Sequence, residues 1–325
     1  MTVTRATALG CGHHLPERVV ENAEFSKTLD TNDEWIRGRT GIERRHFAAR
    51  GELTSDLAIA AALDALAQSG LSANDLDAIV LATSTPDETF PSTATKVQHA
   101  IGMKGGFAFD VQAVCAGFIF ALGTANALIV SGQARTVMVI GAETFSRIMD
   151  WTDRGTCVLF GDGAGALILQ AGSGAGTSQD RGVLSVDLNS DGAHHDILYV
   201  DGGVSSTQTT GVLRMEGKEV FRHAVAKLAE TGTTALQSAN LGPNDIDWLV
   251  PHQANLRIIK STAQKMGLPM DRVIQTVQNH GNTSAASIPL ALACGVNDGQ
   301  IKRQDLLLLE GIGGGLAWGA ATLRW

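Results

Sequence analysis

The stretch LSANDLDAIV, residues 71–80, returns in altered form as LGPNDIDWLV, residues 241–250. Each copy combines a helix end, an Asn-Asp turn and the start of an apolar strand. The correspondence continues with SGQ at residues 131–133 and DGQ at residues 298–300, now at an offset of 167. The sequence therefore predicts a chain built from two duplicated halves.

Three reactive side chains fall at related places in these halves. The offset of 167 sets Cys115 opposite Asn282, and each of the two precedes an Ala-rich apolar segment. His252 directly follows the strand of the second copy. We therefore expect a thiol, an imidazole and an amide to meet at strand-to-helix junctions near a pseudo-twofold axis.

The composition predicts a large folded protein without a broad nucleic-acid surface. The chain has 325 residues, of which 44% are hydrophobic and 18% charged. This is enough to bury a large core, in one big domain or in two intimate ones. The net charge of −8 argues against broad nucleic-acid binding, which needs a basic surface.

The sequence gives no indication of secretion, a membrane span or a metal site. The first residues lack a charged and then apolar signal pattern. The longest apolar stretch, residues 116–130, is short for a bilayer and contains Thr124 and Asn126, so a helix buried on all sides is predicted. The four cysteines show no CxxC or His-ligand spacing, which favours a reduced, cytoplasmic protein.

Strand and helix patterns alternate along both halves. This alternation predicts an α/β fold, and two such halves predict five layers in the order helix, sheet, helix, sheet, helix. The apolar helices after Cys115 and Asn282 would then lie in the middle layer. A connector of small and polar residues, 171–178, divides the chain into halves at residues 1–172 and 173–325.

Cys115 is the candidate nucleophile. It lies between an apolar strand pattern at residues 107–111 and the helix at 116–130, where the positive end of the helix would favour a thiolate. A cysteine thiol exchanges readily with thioesters, so such a site suits acyl transfer. The alternative is a buried, inert cysteine, which is how the other three cysteines are interpreted.

His252 and Asn282 are the candidate partners of this thiol. His252 stands at the carboxyl end of a strand, where ligand groups of α/β sheets gather. A capping or core histidine is equally consistent with that position. Asn282, in HGNTS at residues 280–284, is also consistent with an ordinary helix N-cap.

Two glycine-rich segments are candidates for binding loops. GIGGG at residues 311–315 follows a Leu-rich strand. It could present backbone N–H groups as an oxyanion hole, or it could simply form a tight turn. GDGAG at residues 161–165 lacks the full GxGxxG spacing and runs into a strand-like segment, which argues against a dinucleotide site.

These motifs resemble those of the thiolase superfamily, and most closely the β-ketoacyl-acyl carrier protein synthase III family of bacterial fatty-acid synthesis. The resemblance covers nearly the whole chain, including the step of 30 residues from His252 to Asn282. The matching segments are residues 31–36, 39–42, 90–92, 110–117, 153–156, 161–166, 248–259, 280–287 and 313–319. The resemblance implies a thiolase-like five-layer αβαβα fold built from two duplicated halves.

The resemblance also implies a reaction. Cys115 would take an acyl primer, typically acetyl, from coenzyme A. His252 and Asn282 would donate hydrogen bonds to malonyl-acyl carrier protein as it loses carbon dioxide. The enolate would attack the Cys115 thioester in a Claisen condensation, with backbone N–H groups of Cys115 and Gly314 binding the oxyanion. Coenzyme A thioesters are implied as substrates, and no metal or other cofactor is implied.

Further roles come from the resemblance alone. The residues that would contact coenzyme A are Thr31, Trp35, Arg39, Arg154, Phe221 and Asn255. Trp35 and Arg154 would sandwich its adenine. Phe90 would close the acyl pocket of a neighbouring subunit, which implies a homodimer. The basic residues on which the acidic carrier protein would dock are Arg222, Arg257 and Lys265.

Two segments depart from the family pattern. Ile312 and Leu316 flank the glycine triplet where the pattern has Phe, so the primer is not fixed as acetyl. The loop at residues 199–211, rich in Gly, Ser and Thr, is expected to shape the mouth of the site.

Other functions remain open at this point. A condensing or acyl-transfer enzyme of secondary metabolism would keep the same Cys-His-Asn set. A degradative thiolase needs a second Cys in the C-terminal glycine loop, and residues 311–319 contain none. A hydroxymethylglutaryl-CoA synthase-like enzyme needs a carboxylate near the thiol, and Asp87 or Glu88 would serve only with a shifted loop. A catalytically silent acyl-binding subunit and a nicotinamide-dependent oxidoreductase are the remaining alternatives.

Overall fold

The computed structural model describes residues 2–325, and strands and helices alternate along them as the sequence predicts. The strands are β1 (Val3–His14), β2 (Arg18–Glu21), β3 (Arg44–Phe47), β4 (Ala78–Ala82), β5 (Phe107–Val111), β6 (Thr136–Thr144), β7 (Asp162–Gly174), β8 (Gly182–Ser190), β9 (Leu198–Val200), β10 (Leu213–Met215), β11 (Trp248–Pro251), β12 (Leu306–Gly313) and β13 (Ala317–Arg324). The helices are α1 (Asn22–Phe25), α2 (Asp33–Thr40), α3 (Thr54–Ser69), α4 (Thr93–Ala100), α5 (Gly117–Val130), α6 (Gly217–Ser238), α7 (Leu256–Lys265), α8 (Val277–His280) and α9 (Ser287–Asn297).

Two large sheets reflect the duplication. The first has the order β1-β7-β6-β4-β5, and the second has the order β11-β12-β13-β8. In each sheet the strand after the Asn-Asp turn pairs in parallel with the strand after the apolar helix. These pairs are β4 with β6 in the first sheet and β11 with β12 in the second. The second sheet has one bridge between Leu249 and Val273 at the place where the first sheet has β5.

The apolar helices α5 and α9 lie between the two sheets. Each of them contacts strands of both sheets, while α3 covers the first sheet and α6 the second. Because both faces of a middle helix meet a sheet, apolar side chains are needed all around it. The five-layer arrangement with these two helices in the middle is thereby confirmed.

An aspartate in each repeated stretch connects two strands. Asp77 Oδ2 accepts hydrogen bonds from the backbone N–H groups of Arg135 (2.7 Å) and Thr136 (2.8 Å). In the second half, Asp247 Oδ2 accepts from the N–H of Leu306 at 2.7 Å. In both halves the carboxylate therefore connects the beginning of one strand to the beginning of its parallel neighbour.

The offset of 167 between the halves does not hold at the site. Short 3₁₀ turns, Val114–Ala116 and Ser284–Ala286, precede α5 and α9, and Val114 and Ser284 share a φ of 48°. Cys115 therefore corresponds to Ala285, so its predicted pairing with Asn282 is wrong. The offset of 167 arises because α9, with 11 residues, is shorter than α5, with 14.

The segment that joins the halves is shorter than the predicted connector. Since β7 continues to Gly174, the first part of residues 171–178 is strand. The Asp180 carboxylate closes the following loop by accepting hydrogen bonds from three of its backbone N–H groups. The division into residues 1–172 and 173–325 stays a prediction. Among residues 2–325, no helix is long and apolar enough to cross a membrane.

Candidate active site

A pocket of about 800 Å³ opens beside the turn that carries Cys115. Its wall includes Cys115, His252 and Asn282, which come from three separate segments. Cys115 is supplied by the turn before α5, His252 by the residue after β11, and Asn282 by the loop before the turn of α9. The structure therefore brings together the three side chains that the sequence singled out.

The thiol of Cys115 is buried, with 4% of the residue exposed. Burial raises the pKa of Cys115 to about 12, the neighbouring Ser284 hydroxyl lowers it in part, and the charge of Glu143 raises it further. Desolvation therefore raises the pKa of this thiol, in the direction opposite to the expected effect of the helix end. At neutral pH the resting thiol is protonated.

Acidity does not distinguish Cys115 from the other cysteines. Burial also raises the pKa of Cys11 to about 12 and the pKa values of Cys157 and Cys294 to about 11. Among the four, Cys115 is the one that lines the pocket. Cys115 is therefore the candidate nucleophile because of its position on the pocket wall and not because its thiol is more acidic.

His252 is buried and neutral. Burial lowers its pKa to about 3. Its Nδ1 lies 2.6 Å from the hydroxyl oxygen of Ser287, and that oxygen also accepts a hydrogen bond from the N–H of Gln253 at 3.2 Å. Since Ser287 already accepts one bond, its own O–H is available to donate to Nδ1. When this O–H donates to Nδ1, the ring proton lies on Nε2, and Nε2–H is then a donor towards the pocket.

The Asn282 side chain is oriented by its own turn. Its Oδ1 accepts a hydrogen bond from the N–H of Ser284 at 2.9 Å, so its amide nitrogen is the group left to donate towards a ligand. Its backbone pairs with the segment 159–161 through the Leu159 carbonyl and the Gly161 N–H. A Cβ on Gly161 would lie 2.5 Å from the carbonyl oxygen of His280. The GDGAG segment thus supports Asn282 through close backbone packing.

The glycine turn between β12 and β13 presses against the Cys115 backbone. A Cβ on Gly313 would lie 2.6 Å from the nitrogen of Cys115, so this approach requires glycine. A Cβ on Gly314 would lie 2.6 Å from the carbonyl oxygen of Leu198. Ile312 lines the pocket, and Leu316 is buried in the same apolar cluster.

Aromatic and basic side chains surround the mouth of the pocket. Trp35, Arg39 and Arg154 all line it. The guanidinium carbons of Arg39 and Arg154 lie 4.9 Å and 5.2 Å from the Trp35 ring centroid. Arg154 also donates hydrogen bonds to Asp30. Arg154 therefore contacts the ring directly, and an adenine could enter between them only after the arginine moves.

The second side of the mouth is formed by α6 and α7. Phe221, Asn255 and Arg257 line it, and the Arg257 guanidinium lies 5.6 Å from the Phe221 ring centroid. Asn255 is the N-cap of α7, since its Oδ1 accepts from the N–H of Arg257 at 2.8 Å. Its Nδ2 donates to the carbonyl oxygen of Arg39 at 3.2 Å. Asn255 therefore also fixes the mouth structurally.

The remaining predicted residues are not on the wall of this pocket: Thr31, Phe90, Arg222, Gly314 and Lys265. Phe90 is 82% exposed. Arg222 pairs with Glu219 at 2.5 Å, where both side chains are exposed. Lys265 is exposed in the last turn of α7.

The loop at residues 199–211 does not shape the mouth as expected. It connects β9 to β10 and lines a different cavity with Asp87, Glu88 and Arg147. Asp87 accepts from the N–H of Ser55 and pairs with Lys96, so it is held away from the thiol. The loop extends beyond the hairpin, which is why it reaches this second cavity.

Sequence reasoning missed three buried polar residues near the thiol: Glu143, Ser284 and Ser287. The two serines belong to the run NTSAAS at residues 282–287, which fits a helix start equally well. Glu143 ends an apolar strand, and no local motif marks it. Within residues 2–325, no group of three or more His, Cys, Asp or Glu side chains is arranged to hold a metal ion.

Comparison with known proteins agrees with this architecture. The family pattern of 3-oxoacyl-[acyl-carrier-protein (ACP)] synthase III matches residues 109–192, and that of its C-terminal part matches residues 236–325. A β-ketoacyl-[acyl-carrier-protein] synthase III of Ruegeria pomeroyi is 72% identical over 321 residues, which cover 99% of each chain.

Two solved structures show how closely the fold is shared. The crystal structure of 3-oxoacyl-[acyl-carrier-protein] synthase III from Aquifex aeolicus VF5 is 43% identical, with a TM-score of 0.92 over 98% of this chain and 100% of that one. The priming β-ketosynthase from the R1128 polyketide biosynthetic pathway is 34% identical, with a TM-score of 0.92 over 99% of this chain and 96% of that one.

These matches place the chain in one class, the thiolase-fold condensing enzymes. More narrowly, the chain belongs to the 3-oxoacyl-[acyl-carrier-protein] synthase III family. It is an acyltransferase that catalyses the condensation initiating fatty-acid synthesis. The family resemblance inferred from the motifs and the predicted thiolase-like fold are confirmed. The degradative thiolase, the oxidoreductase and the catalytically silent subunit are set aside as alternatives.

Proposed function

We propose that Cys115 takes an acetyl group from coenzyme A and passes it to the two-carbon unit of malonyl-acyl carrier protein. The observation that carries this proposal is the shared pocket of Cys115, His252 and Asn282. The stacked rings of Phe145 and Phe160, 4.9 Å apart, belong to its apolar wall and favour a short primer. The chemistry needs no metal or organic cofactor.

The loading step is a thioester exchange. The Cys115 sulfur attacks the acyl carbon, the S–H bond breaks, and coenzyme A leaves as a thiolate that takes a proton from solvent. The backbone N–H groups of Cys115 and Gly314 are the proposed donors to the tetrahedral oxyanion. The contact between the glycine turn and the Cys115 nitrogen supports this assignment.

The condensation step depends on two neutral donors. His252 Nε2–H and the Asn282 amide bond the thioester carbonyl of the malonyl group, and loss of carbon dioxide leaves an enolate that they stabilise. The enolate carbon then attacks the Cys115 thioester, and Cys115 leaves as a thiolate. An amide cannot act as a base, so the carbanion must come from decarboxylation. The lowered pKa of His252, about 3, keeps the imidazole neutral for this role.

Substrate binding is assigned to the mouth. We propose that coenzyme A contacts six residues: Thr31, Trp35, Arg39, Arg154, Phe221 and Asn255. Carrier-protein docking is assigned to Arg222, Arg257 and Lys265, of which Arg257 lines the mouth itself. Arg222 is already paired with Glu219, so we expect it to contribute less than Arg257.

A cytoplasmic homodimer is proposed as the working form. The edge strand β5 pairs only with β4 in the first sheet and carries the partly exposed ring of Phe107. The exposed Phe90 is available to close the acyl pocket of a second copy.

The test is the mass of the intact protein after incubation with acetyl-CoA, followed by addition of malonyl-acyl carrier protein. We expect a single acetyl group on Cys115 that is discharged as a β-ketoacyl product, and no loading of Cys115→Ser. His252→Ala and Asn282→Ala should load normally and lose malonyl decarboxylation. Normal decarboxylation by His252→Ala would refute its assigned role.

A priming enzyme of secondary metabolism is the second candidate. The match to a polyketide priming ketosynthase favours it, as do Ile312 and Leu316, which are smaller than the Phe of the family pattern. Comparing acetyl-CoA with longer acyl-CoAs, and malonyl-acyl carrier protein with other acceptors, separates the two. Discharge only by another acceptor would support this second function.

A further inference from the structure

Ser284 joins the thiol to a buried carboxyl that the proposed function leaves unused. The turns that carry Cys115 and Ser284 pack against each other, and the Ser284 hydroxyl lowers the pKa of the Cys115 thiol. The same hydroxyl donates to Oε1 of Glu143 at 3.1 Å. Glu143 is fully buried at the end of β6. A hydroxyl beside the thiol is therefore hydrogen-bonded to a buried carboxyl.

The geometry of Ser284 is fixed from several directions. Its φ of 48° lies in the left-handed region, which is unusual for a residue with a side chain. Its N–H donates to Asn282 Oδ1 at 2.9 Å, so the turn that orients the amide also orients the hydroxyl. Strained backbone of this kind persists where the surrounding structure holds it, and it is concentrated at functional sites.

Glu143 is held by neutral groups. Its Oε2 accepts from the Thr85 hydroxyl at 2.7 Å, and both of its oxygens lie 3.1 Å from the N–H of Ser84. Thr83 donates a longer bond of 3.3 Å. Burial raises the pKa of Glu143 to about 7, and these hydrogen bonds lower it in part. Both the charged and the neutral carboxyl are thus accessible near neutral pH.

We propose that Glu143, acting through the Ser284 hydroxyl, accepts the proton of the Cys115 thiol during acyl loading and returns it during condensation. This inference rests on the proposed role of Cys115 as the acylated residue. A neutral buried thiol needs such an acceptor when it attacks, since it is not ionised at rest.

The protons balance over one cycle. In loading, the Cys115 S–H proton moves to the Ser284 oxygen while the Ser284 proton moves to Glu143, and the new bond forms between sulfur and the acyl carbon. The departing coenzyme A thiolate is protonated by solvent. In condensation, Cys115 leaves as a thiolate, and the same two transfers run in reverse. The carboxyl therefore begins and ends each cycle ionised.

Few other titratable groups face this carboxyl. The helices and strands packed against β6 carry Asp56 and Asp64 on α3, Asp162 on β7 and Cys294 on α9. Asp56 and Asp64 are exposed, and Asp162 is bonded by Ser146 and Ala48. Helix α5, strand β4 and residues 83–86 contain none. A pH dependence of loading near neutrality is therefore assigned to Glu143.

The test is the single-turnover rate of Cys115 acetylation, followed by rapid quench and intact mass between about pH 5.5 and pH 8.5. For the wild type we expect a rate that rises through neutrality and then levels off. Glu143→Gln should load about 100-fold more slowly and lose the plateau. Its rate should rise roughly tenfold per pH unit throughout, because only the rare thiolate would then react.

Variants of Ser284 test the link itself. Ser284→Ala should show the same defect as Glu143→Gln, and the double variant should be no slower than either. Ser284→Gly removes the hydroxyl and accommodates the positive φ, so it replaces Ser284→Ala if that variant does not fold. Glu310→Gln is the matched control, a second fully buried glutamate that should load at the wild-type rate.

Three outcomes would overturn the proposal. These are wild-type loading by Glu143→Gln, slower loading with an unchanged pH profile, and multiplicative defects in the double variant. A wild type that acquires no acetyl group at Cys115 would instead refute the proposed function itself.

Discussion

At the scale of the residue, the hydroxyl of Ser287 is the hydrogen-bond partner of the His252 ring. The Ser287 oxygen accepts from the N–H of Gln253 and lies 2.6 Å from His252 Nδ1, and donation of its O–H to Nδ1 corresponds to the tautomer that presents Nε2–H. Burial excludes the charged imidazole, so the histidine cannot donate by simply gaining a second proton. Its donor capacity therefore depends on a neighbour that lies 35 residues away in the chain.

Ser287→Ala should slow malonyl decarboxylation about tenfold and leave acetyl loading unchanged, because only the donor tautomer of His252 is lost. Single-turnover formation of acetyl-acyl carrier protein measures the first effect, and intact mass measures the second. Thr262→Val is a suitable control, since the Thr262 hydroxyl is buried with no partner among residues 2–325. An equal loss in both half-reactions would contradict the tautomer argument.

Glu310 makes stability depend on pH. It is fully buried, neither of its carboxyl oxygens has a partner within residues 2–325, and burial raises its pKa to about 8. In the unfolded chain the same carboxyl ionises near its ordinary value of 4.5. Between these two values the unfolded state releases the proton and the folded state keeps it. The contribution of Glu310 to stability is therefore complete below pH 4.5 and falls as pH rises to about 8.

Glu310→Gln should become more stable relative to the wild type as pH rises, by roughly 4 kcal/mol between about pH 5 and pH 8. Urea unfolding of both proteins at the two pH values gives this difference directly. Glu17→Gln, at an exposed position, controls for the change in net charge. A difference that stays constant with pH would show that the carboxyl is solvated in the folded state.

At the scale of the element, the β12–β13 turn packs beside the site. Its glycines allow the turn to touch the backbone of the turn that carries Cys115. The approach positions the N–H groups proposed for the oxyanion, so a side chain there should act on chemistry as well as on folding.

Gly313→Ala should reduce acetyl loading by at least about 100-fold, because its methyl group would displace the Cys115 N–H by a few tenths of an ångström or more. The loading rate and the melting temperature should both be measured. Gly192→Ala is the control, because a Cβ at that position meets nothing within 4 Å. Loading at the wild-type rate by Gly313→Ala would show that the turn is not part of the oxyanion site.

The sequence singled out the three residues that meet in the pocket but not the hydrogen bonds around them. Cys115 stood out because it lies at a strand-to-helix junction, and Asn282 because it belongs to a motif. Glu143 and Ser284 are separated by 141 positions, and nothing local indicates that they meet. The pairing of Cys115 with Asn282 failed because a three-residue difference in helix length cannot be located from two short matching segments.

At the scale of the whole molecule, the duplication made the architecture predictable. The repeated aspartates, the apolar helices and the alternation of elements all pointed to five layers, and each has a counterpart in the structure. The antiparallel strand pairs β2–β3 and β9–β10 were not predicted, because they lie outside the repeat and are too short to show periodicity.

Phe107→Glu should convert the proposed homodimer into a monomer, because it places a charge on the edge strand β5 beside the ring of Phe109. Light scattering after size-exclusion chromatography measures the mass of each form. Leu63→Glu, on the outer helix α3, introduces the same charge at another exposed apolar position and should remain dimeric. A monomeric wild type would remove the support for a shared acyl pocket.

The middle layer also has a consequence for synthesis on the ribosome. Helix α5 is complete at residue 130, whereas the second sheet, which covers its other face, gains its last strand only with Ala317–Arg324. Translation at about 5–20 residues per second separates the two events by roughly 10–40 s. Throughout that interval the nascent chain carries an apolar helix with one face uncovered. The first half therefore keeps apolar surface in contact with water until the second half emerges.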